Sequence, residues 1–170
     1  MPDDARDSAE ARKAEVLNRV RTAHARLEQA LAPLTSEQME AEGMVGGWSV
    51  KATLGHVTWW EEVALHALRG QPDEDILPGE EWNTDRANAV LFARNQRRPL
   101  DEVLAAFHAS YAELLGELER MPAARLDEPS PYGGSMSELI AGNTYAHYDE
   151  HANLLAAAFG LVSPEAPESD

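Results

Sequence analysis

Four long segments of this chain repeat their apolar residues at helical spacing, and no segment alternates as a strand would. Val16, Val20, Leu27 and Leu31 form the first stripe, with Leu17 and Ala30 at its borders, and Pro33 ends it. Val50, Leu54, Val57, Ala64 and Leu68 form the second, between Ser49, a good N-cap, and a stop at Gly70 and Pro72. The third carries Leu100, Val103, Leu104, Phe107, Tyr111, Leu114 and Leu118; Pro99 suits its first turn, and Asp101 and Glu102 its positive end. The fourth opens on a capping box, Ser135 with Glu138, and runs through Met136, Leu139, Ile140, Ala146, Leu154 and Ala158 to Gly160. Amphipathic helices bury such stripes against one another, so the pattern predicts an all-α four-helix bundle.

Shorter pieces complete the outline. Thr35 to Gln38 predicts one capped turn, and Gly43 to Gly47 a loop with a sharp bend at Gly46-Gly47. A long crossover between the second and third helices reads as a loop over 70–81, then a short helix from Asn83 to Gln96 with Ala87, Val90 and Leu91 inward. The domain is expected to span 7–160, with 1–6 and 161–170 as disordered termini.

At 170 residues and 44% hydrophobic, the chain suits one domain with a sizeable core. No apolar run approaches the roughly 18 residues of a membrane span, and the Met-Pro-Asp-Asp start lacks a signal-peptide pattern, so a cytoplasmic location is expected. A net charge of −16 argues against nucleic acid and anionic membrane as partners. The basic residues of the first helix (Arg6, Arg12, Lys13, Arg19, Arg21, Arg26) alternate with acids, as on a solvated face. With no cysteine, there is no disulfide, thiolate zinc site or cysteine nucleophile. Any metal must be held by imidazole or carboxylate, and any thiol chemistry must use a bound small molecule.

The stretch Asn143 to His151 is where chemistry is expected. His147 and His151 lie one turn apart on one side of the fourth helix, and spacing puts Asn143, Glu150 and Leu154 there too. A polar cluster in a core-facing stripe needs partners. Either the two histidines are half-buried and bonded to water or backbone, or their nitrogens converge on a divalent metal. A metal needs a third donor from another helix, for which His56 and His24 both qualify; His66 and His108 are expected off their stripes. Three neutral histidines with open positions would suit Zn²⁺, Ni²⁺, Co²⁺ or Fe²⁺.

Gly46-Gly47-Trp48-Ser49-Val50-Lys51, running into Leu54-Gly55-His56-Val57-Thr58-Trp59-Trp60-Glu61, resembles the second-helix start of the DinB-like superfamily. Asn83 through Leu100 and Asn143 through His151 resemble its ClbS/DfsB branch, and the likeness covers most of residues 10–160. The resemblance implies a divalent metal, Ni²⁺ or Zn²⁺, held by one second-helix histidine and an H-x-x-x-H pair on the fourth, here His56, His147 and His151. It implies transfer or isomerisation dependent on a low-molecular-weight thiol, or hydrolysis as in the colibactin-resistance member of the ClbS/DfsB branch.

These readings define an expected site. The metal would lower the pKa of a coordinated water or thiol. Glu150 would serve as general base or hold an imidazole N–H, Asn143 would orient a ligand, and Trp60 and Tyr148 would wall the pocket. The substrate would be a small molecule or toxin, in a context of detoxification or self-resistance. Two rival readings stand beside it. One is a non-catalytic binding or sequestering protein with Trp48, Trp59, Trp60, Trp82 and Tyr132 around an open bundle end; the other is a purely structural metal. A homodimer through the first and fourth helices is also admitted.

Overall fold

The computed structural model describes residues 2–71 and 84–161; most of the expected crossover loop, Trp82, Asn83 and the tail after Leu161 lie outside the described residues. In chain order the helices are α1 (Pro2–Leu31), α2 (Ser36–Glu40), α3 (Val50–Arg69), α4 (Thr84–Gln96), α5 (Leu100–Arg120), α6 (Met136–Asn143) and α7 (Tyr145–Phe159). A 3₁₀ turn, Ala123–Asp127, follows α5. The bundle consists of α1, α3, α5 and the α6–α7 pair, with α3 packed most extensively on α5 and α1 on α7. No helix among the described residues is long and apolar enough to cross a membrane.

α1 starts at Pro2 rather than near Asp7, so residues 2–6 are helical and not the frayed lead-in expected. Proline is tolerated at a first helical position, and nothing between Asp3 and Arg6 breaks a helix. The basic residues of α1 also do more than face water. Arg12 grips Asp127 at 2.6 and 2.8 Å, Arg21 reaches Glu119 at 2.6 Å, and Arg26 reaches Asp149 at 3.0 Å.

α3 is the centre of the bundle. Its polar residues Thr53, His56, Thr58 and Glu61 are buried along with its apolar stripe, because α4 covers the face that α5 and α6 leave open. His66, expected in solvent, is half-buried with its Nδ1 sealed from water. α4 packs through Ala87 and Leu91 against Trp59 and Val63, whereas Val90, expected inward, is 51% exposed. Asn95 takes the next inward place and lies so close to Gly55 that a Cβ there would collide with its amide. Gly55 is therefore the residue that lets α4 approach α3.

The expected fourth helix is two helices. Thr144, at φ −130° and ψ −104°, breaks it. Its hydroxyl donates to the Ile140 carbonyl at 2.6 Å, and Asn143 Nδ2 donates to the Leu139 carbonyl at 2.8 Å. Short polar side chains that bond their own backbone compete with helix continuation, and two in succession mark the joint. α7 then buries Tyr145, Tyr148, Ala152, Leu155 and Ala156, while Ala146 and Leu154 of the expected stripe face outward.

One polar group crosses the core. Glu61 of α3 is fully buried; its Oε1 accepts from the Tyr148 hydroxyl of α7 at 2.5 Å, and its Oε2 is hydrogen-bonded to the Ser110 hydroxyl of α5. Burial pushes its pKa up to about 8, against the opposing effect of those two bonds. The side chain is then a neutral acid at pH 7. Its protonated oxygen donates to Ser110, whose Oγ lies 3.2 Å from the Phe107 carbonyl, so every polar atom is satisfied. The unfolded carboxyl titrates near 4.5, so this stabilising contribution is complete below that pH and is lost as pH rises through 8. Glu61→Gln should keep the bonds and flatten the decline in urea-unfolding free energy between about pH 5 and 9. Parallel curves for the two proteins would refute a neutral Glu61. Glu61→Leu should cost about 1–3 kcal/mol at pH 6 by leaving the buried Tyr148 hydroxyl unpaired.

Candidate metal centre

The centre begins at a turn. Val45 and Trp48 exchange both backbone hydrogen bonds at 2.9 Å, across Gly46 at φ 58° and Gly47 at φ 90°. Two successive left-handed residues make a tight turn that glycine enters without strain. Just beyond it, the Ser49 hydroxyl accepts from the Ala52 N–H at 3.1 Å and starts α3. Trp48 stands edge-on to His56, with ring centroids 5.4 Å apart, and leans on Phe92 at 5.0 Å.

His56 of α3 meets His147 and His151 of α7. His147 Nε2 lies 2.9 Å from His56 Nε2 and 2.9 Å from His151 Nε2. Burial pushes the pKa of His56 and His151 down to about 4, and that of His147 to about 2, where the neighbouring imidazoles lower it further. All three rings are thus neutral at pH 7. The Nδ1 atoms of His147 and His151 are buried without a hydrogen-bond partner in the protein, whereas a hydrogen bond from the Asn88 side chain partly offsets the effect of burial on His56.

Hydrogen bonds among the rings do not satisfy this arrangement. A neutral imidazole has one N–H and one lone pair. His147 Nε2 either offers one lone pair to two donors, or donates to one neighbour and confronts the other. A cation among the three Nε2 atoms accepts all three lone pairs and places every proton on Nδ1, so the donor set fits a divalent metal. His24 takes no part: it stacks at 3.5 Å on Tyr111 and at 5.1 Å on Phe107, and burial pushes its pKa down to about 4.

The cluster has an open flank. A recess of about 170 Å³ is lined by Val45, Gly46, Trp48, Thr53, His56, Asn88, His151 and Leu154, and so reaches two of the three imidazoles. Trp60 also approaches, with ring centroids 6.1 Å from His56 and 6.5 Å from His147. Trp59 is buried in the small cluster beneath α4, with Trp60 and Tyr132 packed against it.

Three expected site residues are placed elsewhere. Glu150 is exposed, not inward: the buried face of α7 centres on Tyr148, Ala152 and Leu155, the histidines lie at its border, and Glu150 falls beyond them in solvent. Tyr148 is about 100° around the helix from His147 and binds Glu61 in the core instead of walling the pocket. Asn143 belongs to α6, before the joint, and its amide donates to its own helix. Regular helical phasing puts Asn143 and Glu150 on the side of the histidines; the break at Thr144 separates Asn143 from α7, and the buried face of α7 leaves Glu150 in solvent.

Two residues carried a signal that periodicity alone did not expose. Glu61 follows Val57 and precedes Leu65 and Leu68 at core spacing, an acid on the inward stripe. Asn88 follows Ala87 on a helix whose orientation was misjudged through Val90, so its approach to His56 needed the α3–α4 contact to be seen.

Residues 2–154 match the DinB superfamily. The fold resembles the crystal structure of an uncharacterised protein from Escherichia coli UTI89, with a TM-score of 0.74 and 16% identity over 85% of this chain and 91% of the other. It also resembles the structure of Sibling Lethal Factor Precursor - DfsB, with a TM-score of 0.69 and 16% identity over 85% of this chain and 93% of that one. No curated protein matches. At such identity the structural likeness concerns the fold, but the family match spans nearly the whole sequence and includes all three histidines: the chain belongs to the DinB superfamily.

Proposed function

We propose that this protein is a metal-dependent enzyme acting on a small molecule, with Ni²⁺ or Zn²⁺ held by His56, His147 and His151. The observation that carries the reading is the meeting of His147 Nε2 with two other imidazole nitrogens at 2.9 Å, in a set that only an electron-pair acceptor satisfies. When bound, the cation supplies Lewis acidity to the donor atom of a substrate, water or thiol. The chain contributes three neutral ligands, with Trp48 and Trp60 packed around them.

Of the two reactions that fit, small-thiol-dependent transfer is the better supported. Among the described residues no carboxylate joins the three imidazoles, and Glu150 lies in solvent, so a general base for water is missing from the group. A thiol, with a pKa of about 8.5 against about 15.7 for water, needs far less help to become a nucleophile. The chain has no cysteine, so the thiol would come from a separate small molecule. A non-catalytic binding protein is the second reading, favoured by the apolar walls of the recess.

Elemental analysis tests the reading directly. The protein should hold about one equivalent of metal, and the His56→Ala/His147→Ala/His151→Ala variant none; equal trace amounts in both would end it. Because burial has already pushed the three rings toward the neutral form, protons compete weakly for them. The apparent Ni²⁺ affinity should stay level from about pH 8 to 6 and weaken only toward pH 4, where a ligand at the ordinary histidine pKa of about 6.5 would weaken it much earlier. Glu150→Gln should leave affinity within about twofold, as expected of an exposed carboxylate near no ligand atom. For the choice between enzyme and binder, thiol transfer lost on chelation and restored by Ni²⁺ is the expected result. Tight ligand binding indifferent to His147→Ala would favour the binder.

A further inference from the structure

The recess beside the imidazoles has walls of a particular kind. Val45, Trp48 and Leu154 face it with hydrocarbon and indole, Gly46 adds no side chain, the Thr53 hydroxyl is already bonded to the Ser49 carbonyl at 3.1 Å, and Asn88 contributes the one amide, beside His56. Apart from His56 and His151, no ionisable side chain lines it among the described residues. Its rim is apolar as well. Only three large hydrophobic side chains are exposed among the described residues; Leu154, at 40%, lines the recess, and Met44, at 38%, directly precedes Val45. Single exposed hydrophobics are ordinary, but Leu154 is one that lines a recess beside a candidate reaction centre, as a surface kept for an apolar ligand would require.

Size and charge narrow the ligand further. The volume, about 170 Å³, is close to the ~150 Å³ of an apolar cavity that admits benzene. It holds the reacting end of a molecule rather than a drug-sized whole. The chain carries a net charge of −16, and no lysine or arginine lines the recess among the described residues, so its apolar wall offers no partner to an anionic group.

We infer that the recess receives the uncharged, ring-sized hydrocarbon end of the substrate, with the reacting heteroatom turned toward His56 and His151. The heteroatom's position rests on the metal-dependent reading above; the hydrocarbon end rests on the recess alone.

Two arms of one experiment separate these supports. In the first, the Co²⁺-loaded protein is titrated with benzyl mercaptan and with 3-sulfanylpropanoate, following the visible Co²⁺ spectrum. Benzyl mercaptan should bind at least tenfold more tightly, and Leu154→Glu should remove that preference while Co²⁺ content is unchanged. In the second, benzene is added to the metal-free protein, and the methyl signals of Val45 and Leu154 should move in NMR spectra. Anion binding as tight as that of benzyl mercaptan, or methyl signals that stay still, would overturn the inference. Because Leu154 is a partly exposed rim residue, its replacement should leave the fold intact. If the protein takes up no Co²⁺, the metal-dependent reading fails and the benzene arm alone decides whether the recess is an apolar site.

Discussion

A single buried carboxyl group fastens this bundle together. Glu61 reaches from α3 to Ser110 on α5 and Tyr148 on α7, at zero exposure, and no other acid among the described residues is buried. An ionised carboxylate there would carry a large desolvation penalty, so the fold holds it as a neutral acid and closes its bonds on two hydroxyls. Hydrophobic contacts tolerate sliding and rotation of one helix against another; a short bond between fixed atoms does not. Tyr148 directly follows His147, and Glu61 lies five residues beyond His56. The same bond that orders the core therefore sets the register of the two helices that carry the imidazoles.

The imidazole cluster is the opposite case. Its members meet without satisfying one another, and the outer nitrogens of His147 and His151 also lack protein partners. Unsatisfied polar atoms cost stability, and folded proteins retain few of them. The adjacent network shows that this bundle can satisfy buried polar atoms fully, so the contrast is chemical rather than accidental. The core network closes on itself, whereas the three imidazoles turn their Nε2 atoms toward one another. The apolar recess lies against His56 and His151, on the same flank of α3 and α7.

Much of the fold was legible because helix boundaries are local. Thr35 and Ser135 form the capping boxes that their neighbours Gln38 and Glu138 announce, Ser49 caps α3, and Gly70 and Gly160 end their helices in the left-handed conformation. The histidine trio was legible as a candidate because one turn of helix fixes the geometry of His147 and His151, and the resemblance supplied His56. What sequence could not supply was rotation. Whether α7 turns Glu150 or Tyr148 toward the core depends on the joint at Thr144, which the uninterrupted apolar spacing across it disguised. The central position of α3 was equally hidden. A stripe reading assigns a helix one buried face, but α4 covers a second, so that Thr58 and Trp59 are buried outside the stripe of Val50, Leu54, Val57, Ala64 and Leu68.

The joint between α6 and α7 also bears on how such a sequence can drift. In an unbroken helix, one residue gained or lost upstream would swing everything downstream by about 100° and carry the histidine pair out of alignment. With backbone continuity interrupted at Thr144, the loop and short helix ahead of it can change length while α7 stays seated against α1 and locked through Tyr148. The break acts as an expansion gap: a change in length ahead of it need not rotate α7, so the histidine-bearing end of the bundle can keep its alignment.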